Sequence, residues 1–257
     1  MVFLPTNIPV LKITIITVVY NAAQHLRDCI ESVLAQHYAQ VEYILIDGAS
    51  TDQSFQIAQE YSDRIAVLIS EPDKGMYDAL NKGIALATGE IIGILNADDI
   101  LADHHVLAEV AATFKTAEVE GVYGDLNYVA QNDVTQIQRR WKSAAAKPKD
   151  LALGWMPAHP TLYLKATLFK ELGGYSLNYG SAADYELMLR FLYRNKISTA
   201  YLPKLMVNMR NGGMSNQTMK HRYVALLNDY HALRKNHVPV PILALLLKKL
   251  RKIKQFF

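Results

Sequence analysis

Residues 11–21 read LKITIITVVYN, an apolar and largely β-branched run that ends in the polar pair Tyr20 and Asn21. This composition is typical of a parallel strand that is covered on both faces. The pattern then alternates, with strands predicted over 41–47, 65–70 and 90–95 and helices over 23–36, 53–61 and up to Ala87. Such alternation predicts an α/β fold with a mostly parallel, doubly wound sheet and flanking helices.

The second half of the chain has a less regular pattern. Two strands, 119–130 and 134–141, are predicted to form a hairpin that turns near Asn132 and Asp133, and residues 142–153 are predicted as a loop. A strand over 159–164, a helix over 181–194 and two short strands near 198–202 and 205–209 follow. The remaining chain is predicted to be helical. We therefore divide the sequence into a main α/β domain, residues 1–214, and a C-terminal helical extension, residues 215–257.

Composition and charge narrow the class of protein. The chain has 257 residues, 51% of them apolar and 20% charged, which is typical of a globular protein with a substantial core. The net charge is +3, too small to indicate a nucleic-acid partner. Five cations lie within residues 248–254, so the basic character is a feature of the C-terminus.

The sequence also predicts a cytoplasmic protein. Cys29 is the only cysteine, so no intramolecular disulfide can form, in keeping with a reducing compartment. The N-terminus lacks the pattern of a signal peptide. The longest apolar stretch, residues 238–247, contains two prolines and is too short to cross a bilayer as a helix.

Three polar clusters follow three of the predicted strands. They are Tyr20–Asn21, Asp47–Gly48 and Asn96–Asp99. In open parallel sheets, ligands bind at the carboxyl ends of the strands. The clusters therefore predict a binding site along this edge of the sheet.

The acidic cluster, Asn96-Ala97-Asp98-Asp99, has the composition of a metal site. Crowded carboxylates repel each other unless a cation lies between them. Their hard oxygen atoms suit Mg²⁺ or Mn²⁺, which usually keep water ligands and bind substrate phosphates as well. The alternative is that Asp98 and Asp99 cap the next helix.

Two further clusters allow more than one interpretation. Asp47 can accept a hydrogen bond from a base or a sugar, while the following Ser50, Thr51 or Asp52 can serve as a helix cap. Residues 71–83, EPDKGMYDALNKG, form a charged turn that enters a helix. There Lys74 can contact a phosphate at the helix N-terminus or can simply be solvated.

Four ordered segments together carry a family resemblance. They read ITIITVVYNAAQHLRDCIESVLAQ, YILIDGASTD, SEPDKGMYDALNKGIALATGEIIGILNADD and SAADYELMLR. In this order they closely resemble the family 2 glycosyltransferases, which are inverting enzymes of the GT-A fold, and especially bacterial members that assemble exopolysaccharide or O-antigen units. The resemblance covers roughly residues 11–215.

The resemblance implies roles for matching residues. It implies a nucleoside-diphosphate sugar as donor, usually a UDP-sugar, with Asp47 at the base and Mn²⁺ or Mg²⁺ held by Asp98 and Asp99 on the diphosphate. It implies that Asp184 is the catalytic base. The full set implied at the donor is Thr17, Val19, Tyr20, Asn21, Asp47, Lys74, Asn96, Ala97 and Asp98. The chain departs from the family pattern twice: Asn96 replaces a first carboxylate, and Ala183 precedes Asp184 where relatives often have Glu.

The chemistry of inverting transfer fits these assignments. The acceptor, a hydroxyl of a glycan or lipid-linked sugar, attacks the anomeric carbon opposite the diphosphate. A carboxylate must accept its proton, and a cation must stabilise charge on the leaving group. A helix N-terminus near Asp184 would favour its ionised form. The alternative is that Asp184 is an ordinary helix cap.

Several other residues are weaker candidates. His159, before Pro160, and Arg210 can touch the acceptor or the diphosphate, although a structural role for His159 is the alternative. Residues 212–215, GGMS, can form a flap. Residues 138–141, QRRW, are similar to a motif of processive synthases, but they precede the predicted base, and we interpret the match as coincidence.

Other functions fit the sequence less well. A sugar nucleotidyltransferase normally has a glycine-rich, basic loop after the first strand, where this chain has Tyr20-Asn21-Ala22-Ala23. A nucleotide-sugar-binding module that has lost catalysis would not need the carboxylates of Asp98, Asp99 and Asp184. No G-x-G-x-x-G motif or P-loop is present.

The C-terminal extension ends in an amphipathic pattern. Its apolar residues recur at helical spacing, at Leu243, Leu246, Leu247, Leu250, Ile253 and Phe257, while Lys248, Lys249, Arg251 and Lys252 lie on the other side with Lys254 at the border. Such a helix can lie in an anionic membrane surface. The alternative is that the apolar stripe packs on the main domain or forms a homodimer while the lysines face water.

Overall fold

The structure, a computed structural model, describes residues 10–212 and 219–253. The predicted residues 213–215 of the flap, together with Lys254 and Phe257 of the tail, lie outside these ranges.

Strands and helices alternate in the first half of the chain as predicted. The elements are β1 (Ile13–Val19), α1 (Ala23–Leu34), β2 (Val41–Asp47), α2 (Ser54–Gln59), β3 (Val67–Ser70), α3 (Met76–Leu86), β4 (Ile91–Ile94), β5 (Ile100–Leu101) and α4 (Val106–Ala117). All seven residues of β1 are buried, in agreement with a strand covered on both faces.

The second half contributes the rest of the sheet and the C-terminal helices. Its elements are β6 (Gly121–Ala130), β7 (Asp133–Trp141), α5 (Pro148–Ala152), β8 (Tyr163–Lys165), α6 (Ala166–Leu172), α7 (Ala183–Met188), β9 (Thr199–Arg210), α8 (Met219–Lys235) and α9 (Pro241–Ile253). A 3-10 turn, Leu177–Ala182, precedes α7, and a π-helical turn, Leu189–Arg194, continues it.

The strands form a single sheet in the order β3-β2-β1-β4-β8-β6-β9-β5, with β7 paired to β6. β1 lies parallel to both β2 and β4, so the chain moves outward from β1 to β3 and then returns to the other side of β1. This reversal opens a crevice at the carboxyl ends of β1 and β4. The predicted α/β class with a mostly parallel sheet and flanking helices is confirmed.

Apolar side chains fill both faces of the sheet. One core cluster packs α1 and α4 against β1, β2 and β6. The other packs α3, α6 and α7 against the opposite face, and it includes Ala232, Leu233, Val238, Ala244 and Leu245 of the C-terminal region. The two C-terminal helices therefore share a core with the α/β domain.

Several sequence predictions need correction. Residues 159–164 are not one strand, because a 3-10 turn over His159–Thr161 precedes the short β8. The loop predicted over 142–153 contains α5. The two strands predicted near 198–202 and 205–209 are one strand, β9, whose pairing with β6 shifts register instead of breaking. The predicted hairpin between β6 and β7 is confirmed.

Helix α9 packs on the main domain through a different face from the predicted apolar stripe. Ala244 and Leu245 are buried, and the amine of Lys248 pairs with Asp229 at 2.8 Å. Gly154, at a φ of +73°, lets the helix approach closely, since a Cβ there would lie 2.4 Å from the backbone nitrogen of Lys248.

Three residues of the predicted apolar stripe instead face outward, while Leu247 is half-buried. Leu243, Leu246 and Leu250 are 43%, 56% and 58% exposed, and Ile242 beside them is 65% exposed. The alternative in which this stripe packs on the main domain is therefore wrong for these residues. Within the described ranges, no helix has the length and apolar character needed to span a bilayer.

Candidate active site

The loops after β1 and β2 are held together by hydrogen bonds at the carboxyl edge of the sheet. The backbone N–H of Asn21 donates to the hydroxyl of Ser50 at 2.9 Å, and the N–H of Thr51 donates to the side-chain oxygen of Asn21 at 2.9 Å. Asn21 adopts a left-handed φ of 50° at this turn. The neighbouring Tyr20 is 57% exposed, so its ring is available at the mouth of the crevice.

Thr17 and Asp47 lie beneath these loops and are fully buried. The hydroxyl of Tyr43 donates to that of Thr17 at 3.1 Å. Val19, two residues after Thr17 on β1, also belongs to the hydrophobic core. The carboxylate of Asp47 accepts hydrogen bonds from the hydroxyls of Ser50 and Ser70. In this structure Asp47 therefore fixes the loop after β2, and its oxygen atoms already have partners.

Asp73 is half-buried beside the end of β2, whereas Asp47 is fully buried. A Cβ built on Gly48 would lie 2.4 Å from a carboxylate oxygen of Asp73 and 3.5 Å from the ring of Tyr20. Glycine at position 48 thus allows Asp73 and Tyr20 to approach the end of β2. The next residue, Lys74, is exposed, and its backbone N–H donates to Asp78 at 3.0 Å. Asp73 was not predicted as a site residue from the sequence, although it lies in the same charged turn as Lys74.

The acidic cluster after β4 divides into a buried and a half-exposed carboxylate. Asp99 is fully buried and accepts hydrogen bonds from the amide of Asn96 at 2.8 Å and from the backbone N–H of Arg210 at 3.2 Å. Burial, and then the charge of Asp98, raise the pKa of Asp99 well above its usual range. Asp98 is half-buried, and no hydrogen bond or ion pair within residues 10–212 and 219–253 engages its carboxylate.

Neither aspartate caps a helix. The strand β5 follows them, and α4 begins only at Val106 with His105 in the cap position. The capping alternative for Asp98 and Asp99 is therefore wrong.

Arg210, at the end of β9, ties this cluster to helix α1. Its guanidinium donates to the backbone oxygen of Asp98 at 2.8 Å and to the carboxylate of Asp28 at 2.6 Å. His25, one turn earlier on α1, contains a buried Nε2 atom for which the described residues offer no hydrogen-bond partner. Burial, and then the positive charge of Arg210, lower the pKa of His25, while Asp98 opposes this shift.

Asp184 lies in the first turn of α7 and is half-buried. The cap position belongs to Ala182, so the alternative in which Asp184 is the helix cap is wrong. Its carboxylate accepts the N–H of Tyr185 at 2.7 Å.

His159 belongs to an aromatic group beside Asp184. Its Nε2 atom lies 2.7 Å from the hydroxyl of Tyr175, and the two rings meet edge to face. Burial lowers the pKa of His159, and the charge of Asp184 opposes this effect. His159 therefore has a structural partner in addition to its place near the candidate base.

Tyr128 is affected by the charges of both the acidic cluster and Asp184. Burial raises the pKa of Tyr128, the guanidinium of Arg139 opposes the rise, and the carboxylates of Asp99 and Asp184 add to it. Arg139, opposite Tyr128 on β7, places its guanidinium 3.6 Å from the centre of the tyrosine ring. The hairpin thus brings part of the QRRW segment beside the site, which sequence order alone did not indicate.

The sequence model described as Glycosyl transferase family 2 matches residues 14–177. The chain belongs to this family. The PGL/p-HBAD biosynthesis glycosyltransferase of Mycobacterium bovis is 30% identical to it over 219 residues, which is 83% of each chain. An uncharacterized glycosyltransferase of Nostoc sp. is 36% identical over 129 residues, covering 49% of this chain and 39% of that one.

Solved structures confirm the GT-A fold of this family 2 glycosyltransferase. S. aureus TarS 1-349, in complex with UDP-GlcNAc, matches with a TM-score of 0.69 and 18% identity over 86% of this chain and 66% of that one. The mannosyltransferase PcManGT of Pyrobaculum calidifontis, in complex with GDP-Man and Mn²⁺, matches with a TM-score of 0.66 and 17% identity over 92% and 70% of the two chains. The predicted enzyme class, a glycosyltransferase, is confirmed.

GT-A glycosyltransferases commonly use a divalent metal, and the donor atoms of this glycosyltransferase fit one. Asp98 offers a half-exposed carboxylate, and that of the next residue, Asp99, is buried. No group of three or more His, Cys, Asp or Glu side chains within the described residues could hold a metal ion by itself. This small donor set suits Mg²⁺ or Mn²⁺, which bind through one or two carboxylates together with substrate phosphates and water.

Proposed function

We propose that this glycosyltransferase inverts the anomeric centre as it moves a sugar from a nucleoside-diphosphate sugar, most simply a UDP-sugar, to a hydroxyl of a glycan or lipid-linked acceptor in bacterial surface polysaccharide biosynthesis. The observation that carries the proposal is the half-buried carboxylate of Asp98, which no hydrogen bond or ion pair of the described residues engages, at the carboxyl end of β4. Ligands of parallel sheets bind at this edge. Besides burial, the charges of Asp99 and Asp184 both raise the pKa of Tyr128, which supports one site that includes the acidic cluster and a base.

Asp184 is the proposed catalytic base. It is half-exposed, and the first turn of α7 favours the ionised carboxylate that a base requires. In an inverting transfer, the acceptor oxygen forms a bond to the anomeric carbon while the bond to the diphosphate breaks. Asp184 would take the proton that the acceptor hydroxyl loses.

The diphosphate is proposed to bind at the acidic cluster. A bound Mn²⁺ or Mg²⁺ would stabilise negative charge on the leaving diphosphate. Asp98 would contact the ion directly, because its carboxylate has no other partner, and Asp99 would support it from the buried side, with Asn96 and Ala97 shaping the turn. Arg210 would hold the loop in place through the backbone oxygen of Asp98.

The nucleoside is proposed to bind at the loops after β1 and β2. Tyr20 and Asn21 would line the pocket, with Thr17 and Val19 beneath them, and Lys74 would approach the phosphates from the turn before α3. Support for this placement comes from the hydrogen bonds that join Asn21 to the loop after Asp47. Asp47 remains the proposed contact to the base. The contact would form directly, if the carboxylate exchanged a serine partner for the base, or through the hydroxyl of Ser50. His159 remains a proposed contact to the acceptor or the diphosphate.

The enzyme is proposed to work in the cytoplasm, bound peripherally to the inner face of the membrane through the extension 215–257. The support is the outward face of α9, on which Ile242, Leu243, Leu246 and Leu250 are exposed. An apolar face of this kind inserts into the boundary between headgroups and acyl chains, and Lys249 beside it, which is also exposed, would add about 1 kcal/mol on an anionic surface. A homodimer through the same face is the alternative.

Donor screening tests the proposed transfer. Thermal unfolding would be measured with UDP-GlcNAc, UDP-glucose, UDP-galactose and GDP-mannose, each with and without Mn²⁺. We expect stabilisation by at least one of them that depends on Mn²⁺, followed by release of the nucleoside diphosphate. Stabilisation without turnover in the presence of varied sugar acceptors would instead indicate a binding module.

A further inference from the structure

Helix α3 holds the segment that leads to Asp184. The side-chain amide of Asn81 donates to the backbone oxygen of Tyr175 at 2.8 Å and accepts the N–H of the same residue at 2.8 Å. A Cβ on Gly174 would lie 2.3 Å from the amide oxygen of Asn81, so glycine at that position is needed for the contact. Both hydrogen-bonding groups of one backbone residue are thus fixed by one side chain of α3.

Tyr77 lies one turn earlier on α3 and faces the same segment. Residues four apart share one face of a helix, which places Tyr77 and Asn81 side by side. The hydroxyl of Tyr77 lies 3.5 Å from the backbone oxygen of Ser181, and its ring centre is 5.3 Å from that of Tyr175. Burial, and then the charge of Asp184, raise the pKa of Tyr77. The hydroxyl therefore lies against the segment that leads to Asp184.

The segment that leads to Asp184 has little regular structure of its own. The residues before it form a 3-10 turn in which Gly180 has a φ of +47°, and α7 spans only Ala183–Met188. Its position must therefore come from tertiary contacts. Tyr175 makes a second such contact through the hydrogen bond of its hydroxyl with His159.

We propose that Tyr77 and Asn81 are positioning residues that fix the carboxylate of Asp184 for proton transfer. The inference rests on the proposed role of Asp184 as the base. A base has to be held within about 0.5 Å of its productive position by neighbours that are themselves fixed. Helix α3 meets this need, because its first residues follow the turn of Asp73 and Lys74 at the nucleotide loops. The helix thus joins the nucleotide end of the site to the base.

Tyr77→Phe tests the inference because it removes the hydroxyl and keeps the ring. The matched control is Tyr185→Phe, which removes the buried hydroxyl of the residue that follows Asp184, for which the described residues offer no hydrogen-bond partner. Release of UDP from UDP-GlcNAc, UDP-glucose and UDP-galactose would be measured with Mn²⁺, together with calorimetric binding of UDP. We expect Tyr77→Phe to lower kcat at least tenfold while KM and UDP affinity change less than twofold. The control should match wild type.

Asn81→Ala extends the test to the second residue. It should lower kcat in the same way, with an additional loss of thermal stability because the backbone of Tyr175 loses both partners. Asp184→Asn tests the role of Asp184 as the base separately from the positioning role of Tyr77. If Asp184→Asn were inactive but Tyr77→Phe turned over like wild type, only the positioning role would be overturned. An active Asp184→Asn variant would remove the proposed base and the inference with it.

Crystal structures provide a readout that needs no turnover. In Tyr77→Phe the carboxylate of Asp184 should move or occupy more than one conformer, whereas in wild type and Tyr185→Phe it should occupy one. An unchanged carboxylate in Tyr77→Phe would overturn the proposal even if none of the tested nucleotide sugars proved to be a substrate.

Discussion

The backbone N–H of Arg210 donates a hydrogen bond of 3.2 Å to the carboxylate of Asp99. This contact joins the end of β9 to the loop after β4, two segments that are far apart in the sequence. It uses one oxygen of Asp99, and Asn96 uses the other. The neighbouring Asp98 has no such partner within the described residues, so the two adjacent aspartates are expected to respond differently to mutation.

Asp98→Ala should weaken Mn²⁺-dependent binding of UDP by about 10- to 100-fold without lowering the melting temperature, since its carboxylate holds nothing else in place. Asp99→Ala should weaken the same binding and also cost about 1–3 kcal/mol of unfolding free energy, because the half-buried amide of Asn96 and the buried N–H of Arg210 lose their acceptor. Calorimetry and urea unfolding measure the two effects. Full activity of the wild-type enzyme in excess EDTA would contradict the metal assignment.

Asp184→Asn should lower the rate of transfer by about 10²- to 10⁴-fold, the usual contribution of a positioned base. Affinity for UDP with Mn²⁺ should stay within a few-fold of wild type, because the base acts on the acceptor proton and not on the nucleotide. Steady-state kinetics and calorimetry check both statements. A rate within a few-fold of wild type would remove Asp184 from this role.

Asp47→Ala should weaken binding of UDP and GDP even without metal, since the loop after β2 loses the acceptor for Ser50 and Ser70. The informative comparison is Asp73→Asn, which alters a carboxylate near the open crevice without disturbing those hydrogen bonds. If Asp47→Ala bound both nucleotides as wild type does while Asp73→Asn did not, the base would be contacted from the turn before α3.

The outward face of α9 should bind anionic vesicles. The double variant Leu246→Glu and Leu250→Glu, and a truncation after Val240, should no longer pellet with vesicles of phosphatidylglycerol and phosphatidylcholine, while wild type should. Leu86→Glu is the control, because Leu86 is an exposed leucine on α3. Equal sedimentation of all four proteins would contradict membrane binding, and loss of a dimer in the double variant would identify self-association instead.

Glu42 should make stability fall at low pH. Burial alone would raise its pKa, but hydrogen bonds from Lys12, Thr14 and Thr88 prevail and lower it to about 2. A carboxylate with a depressed pKa stabilises the fold above its unfolded pKa, and this stability is lost as pH falls through the folded value. Urea unfolding from pH 6 to pH 2 should show a loss of about 2–3 kcal/mol from this group, and Glu42→Gln should show a smaller decline.

Local pattern was enough to predict the architecture and the edge of the sheet where the site lies. The apolar runs of β1, β2 and β4 each end in polar residues, and parallel strands necessarily bring these ends together. Elements without a strong periodic signal were predicted less well. Short helix α5 and the continuous β9 depend on packing against α9 and β6, which no local window contains.

The sequence by itself determined which residues of this chain carry charge and where its helices can form an amphipathic face. Only the tertiary structure decided how those residues are used. Asp99 has hydrogen-bond partners from Asn96 and Arg210, whereas the neighbouring Asp98 has none within the described residues. The tertiary structure also brings Tyr77 to the segment before Asp184 and Arg139 to Tyr128. It also turned α9 so that Lys248 packs inward on Asp229 while Leu246 and Leu250 face outward. The reason is physical: periodicity defines the faces of a helix, but which face becomes buried depends on the surface, here Gly154 and Tyr185, that receives it.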